Sequence, residues 1–158
     1  MALRVDRAPK RGLSGVTILF VAAVALFAST IALAFDAAAL HDFAERVSLA
    51  DRAGFVEAVG SLRQTKTLPP RYITKKEAEA AGWKPGADLC RIAPGRVIGG
   101  DPFLNREKRL PERAGRSWHE ADLDPQCGRR GAKRLVFSGD GLIYLTTDHY
   151  KSFTEVPQ

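Results

Sequence analysis

The stretch KRLVFSGDGLIYLTT, residues 133–147, decides the fold. Apolar side chains recur with period two on either side of Ser138–Gly141, and Ser-Gly-Asp-Gly carries the Asp-Gly signal of a tight hairpin turn. Two antiparallel strands are predicted here. Alternation then assigns their faces: Leu135 and Phe137 point one way, Arg134 and Val136 the other. Upstream, SWHEADL (117–123) has the same period. Ala121 and Leu123 share a face with His119, while Trp118, Glu120 and Asp122 share the opposite one. Helices are expected to cover the face of Leu123, Leu135, Phe137 and Ile143, leaving Glu120 and Arg134 together on an open face. By spacing alone that carboxylate and guanidinium read as a surface salt bridge, which contributes little to stability.

Before the strands the period is helical. Phe43, Val47, Phe55, Val59 and Leu62 recur at helical spacing between Leu40 and Arg63, with Gly54 as a break. TLPP (67–70) ends that run, because neither Pro69 nor Pro70 can donate a backbone hydrogen bond. In ITKKEAEAAGW (73–83), Thr74 and Glu77 form a capping-box pattern and Gly82 stands where a helix would end. KPGADLCRIAPGRVIGGDP (84–102), punctuated by Gly, Pro and Asp, reads as a loop with one helical turn around Leu89. Helices first and antiparallel strands after them predict an α+β domain over residues 40–158.

The N-terminal segment differs in kind. Arg4, Arg7, Lys10 and Arg11 precede an uncharged run from Val16 to Ala34, which closes on Ala32-Leu33-Ala34. This is the pattern of a cleaved secretory signal over residues 1–34, with a membrane anchor as the rival and Ala37–Ala39 as a second cut. Cleavage after Ala34 takes four of the 24 Lys/Arg and one of the 18 Asp/Glu, so the net charge falls from +6 to +3. A balance that mild says little about partners, and clusters such as REKRLPERAGR and RRGAKR read on pattern alone as solvated surface. Cys90 and Cys127 in an exported chain favour a disulfide over two buried thiols or a half-built metal site, and no nearby His/Cys spacing supports zinc.

Four segments carry a resemblance. LPPRYITKKEAEAAGW, APGRVIGGDPFLNRE, LPERAGRSWHEADL and LIYLTTDHYKSFT follow one another in register from Leu68 to Thr154. In these the chain resembles the barnase-like family of bacterial extracellular ribonucleases. The resemblance implies the microbial ribonuclease fold, with helices on one face of a C-terminal antiparallel sheet. It also implies cleavage of single-stranded RNA with a preference for the 3′ side of guanine, through the substrate's own 2′-OH, with no cofactor and no metal. Glu120 matches the general base and His149 the general acid. Lys75, Arg130 and Arg134 stand at phosphate-contacting positions, where cationic donors stabilise the charge that accumulates in the transition state. Phe103, Leu104, Asn105, Arg106 and Glu107 correspond to the guanine-holding loop, with Tyr150 beside phosphate and base. The plainer reading of Glu107 is a loop carboxylate paired with Arg106 or Lys108.

The chain departs from the family at several places, Cys90 and Cys127 among them. Leu104 replaces a small polar residue, Arg129 an aromatic one, Leu145 a cation near the active face, and Gly141 a tryptophan. The family resemblance further implies a monomer, RNA as partner, and an acidic barstar-like inhibitor protein. Membrane contact follows only if the leader is retained, and the expected location is extracellular or periplasmic. The rival functions are an exported or anchored RNA-binding protein without catalysis and a ribonuclease toxin used against competing cells. His119 and Glu120, adjacent in sequence, point to opposite faces and cannot act as a pair. His119 is expected to be a peripheral or partly buried structural side chain.

Overall fold

In the computed structural model, residues 37–158 are described; the expected leader, residues 1–34, lies outside them. Helix α1 covers residues 37–46 and α2 covers Arg52–Thr65. Strand β1 (Tyr72–Ile73), α3 (Lys75–Ala80) and α4 (Leu89–Ile92) follow. The chain then builds β2 (Val97–Phe103), β3 (Trp118–Asp122), β4 (Arg134–Ser138), β5 (Ile143–Thr146) and β6 (Thr154–Glu155). The six strands form one sheet in chain order, antiparallel except where β1 joins β2. This is the α+β architecture the sequence predicts. Among the described residues no helix is long and apolar enough to cross a membrane.

The helix break falls at residues 47–51, not at Gly54. Ser48 adopts φ 55°, and Asp51 caps α2 by accepting from the Gly54 N–H at 2.9 Å. Asp124, from the loop after β3, accepts from the Ala50 and Asp51 N–H groups at 2.9 and 2.8 Å and fixes the turn from outside. Gly54 lies in the first turn of α2 because a Cβ there would sit 2.1 Å from the Arg71 guanidinium and 2.2 Å from the Asp51 carboxylate.

Helices α1 and α2 cover the expected face. Leu40, Phe43, Phe55, Val59 and Leu62 pack on Leu123, Leu135, Phe137 and Ile143 in one core. Leu145 joins that core, paired across the strands with Leu135, so it lies on the helix side and not near the active face as the family comparison suggested. The opposite face is not open. Trp118, Val136 and Leu110 form a second core there, roofed by Phe103, Leu142, Tyr144, Tyr150 and Phe153. A small third cluster of Ala78, Trp83 and Ile98 seats α3 on β2.

Strand β2 runs through residues that read as loop. Its glycines have structural reasons. Gly99 leaves no room for a Cβ, which would meet Tyr72 at 2.5 Å and Ala121 at 2.9 Å. Gly100 takes φ 94° and forms a bulge between the pairs Gly99–Ala121 and Asp101–Glu120.

Candidate active site

Glu120 sits mid-strand on β3, 7% exposed, on the face covered by the second core. Lys75 Nζ donates to its Oε1 at 2.8 Å and the Tyr150 hydroxyl to its Oε2 at 2.6 Å. Burial alone would raise the Glu120 carboxyl. The Lys75 and Tyr150 hydrogen bonds, with the charges of Lys75 and Arg130, outweigh it and hold the group below the ordinary glutamate value. The phenol responds in the opposite sense: burial and the Glu120 carboxylate push Tyr150 up to about 12, so it stays a donor.

Lys75 is the first residue of α3, and the expected capping box orients it. Thr74 Oγ1 accepts from the Glu77 N–H, Glu77 Oε2 accepts from the Thr74 N–H at 2.7 Å, and Gly82 follows the helix with φ 99°. Asp101, just past the β2 bulge, accepts from the Lys75 N–H at 3.0 Å and ties α3 to the sheet.

The expected contact between Glu120 and Arg134 is not formed. The β3–β4 register sets Asp122 opposite Arg134 and Glu120 opposite Val136. Asp122, 6% exposed, therefore takes the guanidinium, with Arg134 Nε 2.9 Å from its Oδ1 as an ion pair and not an aligned hydrogen bond. The same carboxylate accepts Arg130 in a fork, Nε at 2.6 Å and Nη2 at 2.5 Å. Arg134 also donates to the Gly131 and Lys133 carbonyls at 2.8 and 2.7 Å, and its charge reaches Tyr150 beside Glu120. Asp122 is the residue that sequence reasoning missed. Alternation placed it on the right face, but its partners depend on strand register.

His149 lies exposed in the loop after β5 and Tyr150 follows it, their rings 4.9 Å apart. Both adopt left-handed backbone, φ 59° and 70°, a conformation that side-chain-bearing residues rarely take. Asp148 holds it in place. Its Oδ1 accepts from Thr146 Oγ1 at 2.9 Å and from the Lys151 and Ser152 N–H groups at 3.0 Å each, and its Oδ2 accepts from the Ser152 hydroxyl at 2.6 Å. The Ser152 hydroxyl and N–H bonds hold the Asp148 carboxyl down at about 2. The Tyr150 N–H donates to Thr146 Oγ1 at 3.0 Å, which turns the phenol toward Glu120.

All six residues expected to bind a base line one cavity of about 270 Å³, together with Pro102, Arg109 and Phe153. Phe103 stacks on Tyr150 at 5.3 Å. Asn105 shapes the loop at φ 43°, exchanging side-chain hydrogen bonds with the Leu110 backbone at 2.9 and 3.1 Å. Glu107 pairs with neither Arg106 nor Lys108. Arg109 Nε donates to its Oε2 at 2.6 Å and Arg109 Nη1 to the Lys151 carbonyl, linking the base loop to the His149 loop.

His119 behaves as expected of a structural side chain. Its Nδ1 donates to the Gly100 carbonyl at 3.1 Å at the bulge, and its ring stacks on Phe137. Cys90 and Cys127 form a disulfide with Cα atoms 5.5 Å apart, joining α4 to the loop that carries Arg130. The one Asp/Cys grouping of metal-ligand size among the described residues, Asp88 with Cys90 and Cys127, is closed by that bond.

A family model described as ribonuclease matches residues 57–157. A ribonuclease of Bacillus intermedius is 54% identical over 92 residues, covering 58% of this chain and 57% of the relative. One from Heyndrickxia coagulans is 53% identical over 92 residues, covering 58% of this chain and 84% of the relative. Guanyl-specific ribonuclease St of Saccharopolyspora erythraea is 42% identical over 55 residues, covering 34% and 54%. The matched region thus spans little more than half the length of the Bacillus relative.

Proposed function

This chain belongs to the barnase-like bacterial ribonuclease family, and from that membership we propose that it cleaves single-stranded RNA on the 3′ side of guanosine. In this reading Glu120, as carboxylate, takes the proton of the guanosine 2′-OH. The 2′-oxygen attacks the adjacent phosphorus, the bond from phosphorus to the 5′-oxygen breaks, and protonated His149 gives its proton to that oxygen. The products are a 2′,3′-cyclic phosphate and a free 5′-hydroxyl. Water then opens the ring with the roles reversed: His149 takes its proton and Glu120 returns one to the 2′-oxygen.

The observation that carries this reading is Glu120, buried yet held ionised by Lys75 and Tyr150. Beside it, Arg134 and Arg130 are clamped on Asp122. A base that stays charged is ready to accept a proton. Fixed guanidinium groups next to it suit the charge that builds on the phosphoryl oxygens, without reorganising during the reaction. Guanine would enter the cavity of the 103–107 loop, where backbone N–H groups would meet its O6 and the Glu107 carboxylate would accept from its N1 and N2 hydrogens.

Cleavage of the dinucleoside phosphate GpU tests the assignment. Glu120→Ala and His149→Ala are each expected to lower kcat by about 10²–10⁴-fold, the span of general acid–base contributions. A His149→Ala protein that keeps a near-wild-type rate would overturn it. Export belongs to the same proposal, supported by the disulfide, which forms in oxidising compartments. A monomeric enzyme of this kind would be countered in its producer by an acidic inhibitor covering Lys75, Arg130 and Arg134, with an association rate that falls as salt rises.

A further inference from the structure

We infer that the cleft on the far side of Leu104 from the base cavity binds the nucleotide immediately 5′ of the guanosine, as a second RNA subsite; this rests on the cleavage reading above. The cleft measures about 320 Å³ and is lined by Phe103, Leu104, Asn105, Arg113, Arg116 and Trp118, among others. Phe103, Leu104 and Asn105 also line the base cavity, so one thin wall divides the two spaces.

Chain polarity selects the occupant. The base cavity is closed on one side by Tyr150, whose hydroxyl touches Glu120. A guanosine seated there directs its 3′-phosphate toward Glu120, and the leaving nucleotide departs past His149. The 5′ direction is left to the neighbouring cleft, which Tyr150 does not line and Leu104 shares with the base cavity. That side chain is 66% exposed, the more exposed of the two large apolar residues at the described surface. A base laid against it would cover apolar area that otherwise faces water.

The cation is also in place. The Arg113 side chain is 71% exposed, and its guanidinium is 3.6 Å from Asp140. Asp140 does not need it, because Arg116 donates to that carboxylate from Nε at 3.0 Å and Nη2 at 2.7 Å, and Ser138 donates at 2.6 Å. Arg113 can therefore turn to the phosphate joining the two nucleotides without leaving a carboxylate unpaired. Glu112, the acidic residue lining the cleft, is offset by Lys108 at 3.5 Å.

The test compares kcat/KM for GpU and for the 5′-extended trinucleotide UpGpU, in the wild type, Arg113→Ala and Arg113→Glu. The wild type is expected to favour UpGpU by about tenfold, the size of one charge-assisted hydrogen bond to a phosphate. Its salt dependence should steepen by about 0.7 in log–log slope for the added phosphate. Arg113→Ala should remove most of the UpGpU advantage and Arg113→Glu all of it, with GpU values holding within about twofold, as for an exposed side chain remote from the reacting atoms. Equal wild-type values for GpU and UpGpU, or an advantage that survives Arg113→Glu, would overturn the subsite while leaving the cleavage reading intact. Failure to cleave GpU at all would instead overturn the reading beneath it.

Discussion

At the residue scale, two carboxylates on one face of β3 divide the work. Glu120 meets Lys75 and Tyr150, and Lys75 helps hold it ionised. If Glu120 is the base proposed above, it acts in its charged form, and because its pKa lies below the ordinary value the acid limb of kcat/KM for GpU should fall at a lower pH than a free glutamate would give. Lys75→Met removes a hydrogen bond and a positive charge that both favour the carboxylate, so that limb should move up in pH, beyond any loss of rate. A pH profile of kcat/KM that falls without shifting would mean that Lys75 serves the phosphate alone. Asp122, two residues on, organises two guanidinium groups. Asp122→Asn would leave the buried Arg134 and the half-buried Arg130 without their counter-charge, and urea unfolding should report a loss of about 3–5 kcal/mol.

At the element scale, β2 departs most from the sequence reading, and its glycines explain why. Gly99 and Gly100 looked like loop punctuation. In the sheet, one permits close approach of Tyr72 and Ala121 and the other makes the bulge that aims Asp101 at the start of α3. Gly99→Ala forces a methyl group into a ring and a neighbouring strand and should cost about 1–3 kcal/mol. Gly60→Ala in α2 is its contrast. Nothing lies within 4 Å of the added Cβ, so better helix propensity should raise stability by up to about 1 kcal/mol. Thermal denaturation of the two variants separates a glycine that packs from one that does not. The β4–β5 hairpin and the α3 capping box, by contrast, were legible directly, because turn chemistry and caps act over three or four residues.

At the scale of the whole molecule, the Cys90–Cys127 bridge closes a separation of 37 residues around β2, β3 and the base loop. A Cys90→Ser/Cys127→Ser protein should lose about 3–4 kcal/mol in urea unfolding, mainly because its unfolded chain is less restricted. A loss under about 1 kcal/mol would mean that the loop is held by the Asp124–Lys133 and Asp122–Arg130 pairs instead. The sequence by itself determined the α+β class and the faces of the central strands, and its family resemblance supplied the catalytic candidates. Period-two alternation, capping and motif spacing are properties of neighbours along the chain. Only the tertiary structure decided that Asp122 and not Glu120 holds Arg134, that Tyr150 meets Glu120, and that the supposedly open face carries its own core. Those outcomes depend on strand register and on which loops fold back over the sheet, and both are set by contacts between residues far apart in sequence.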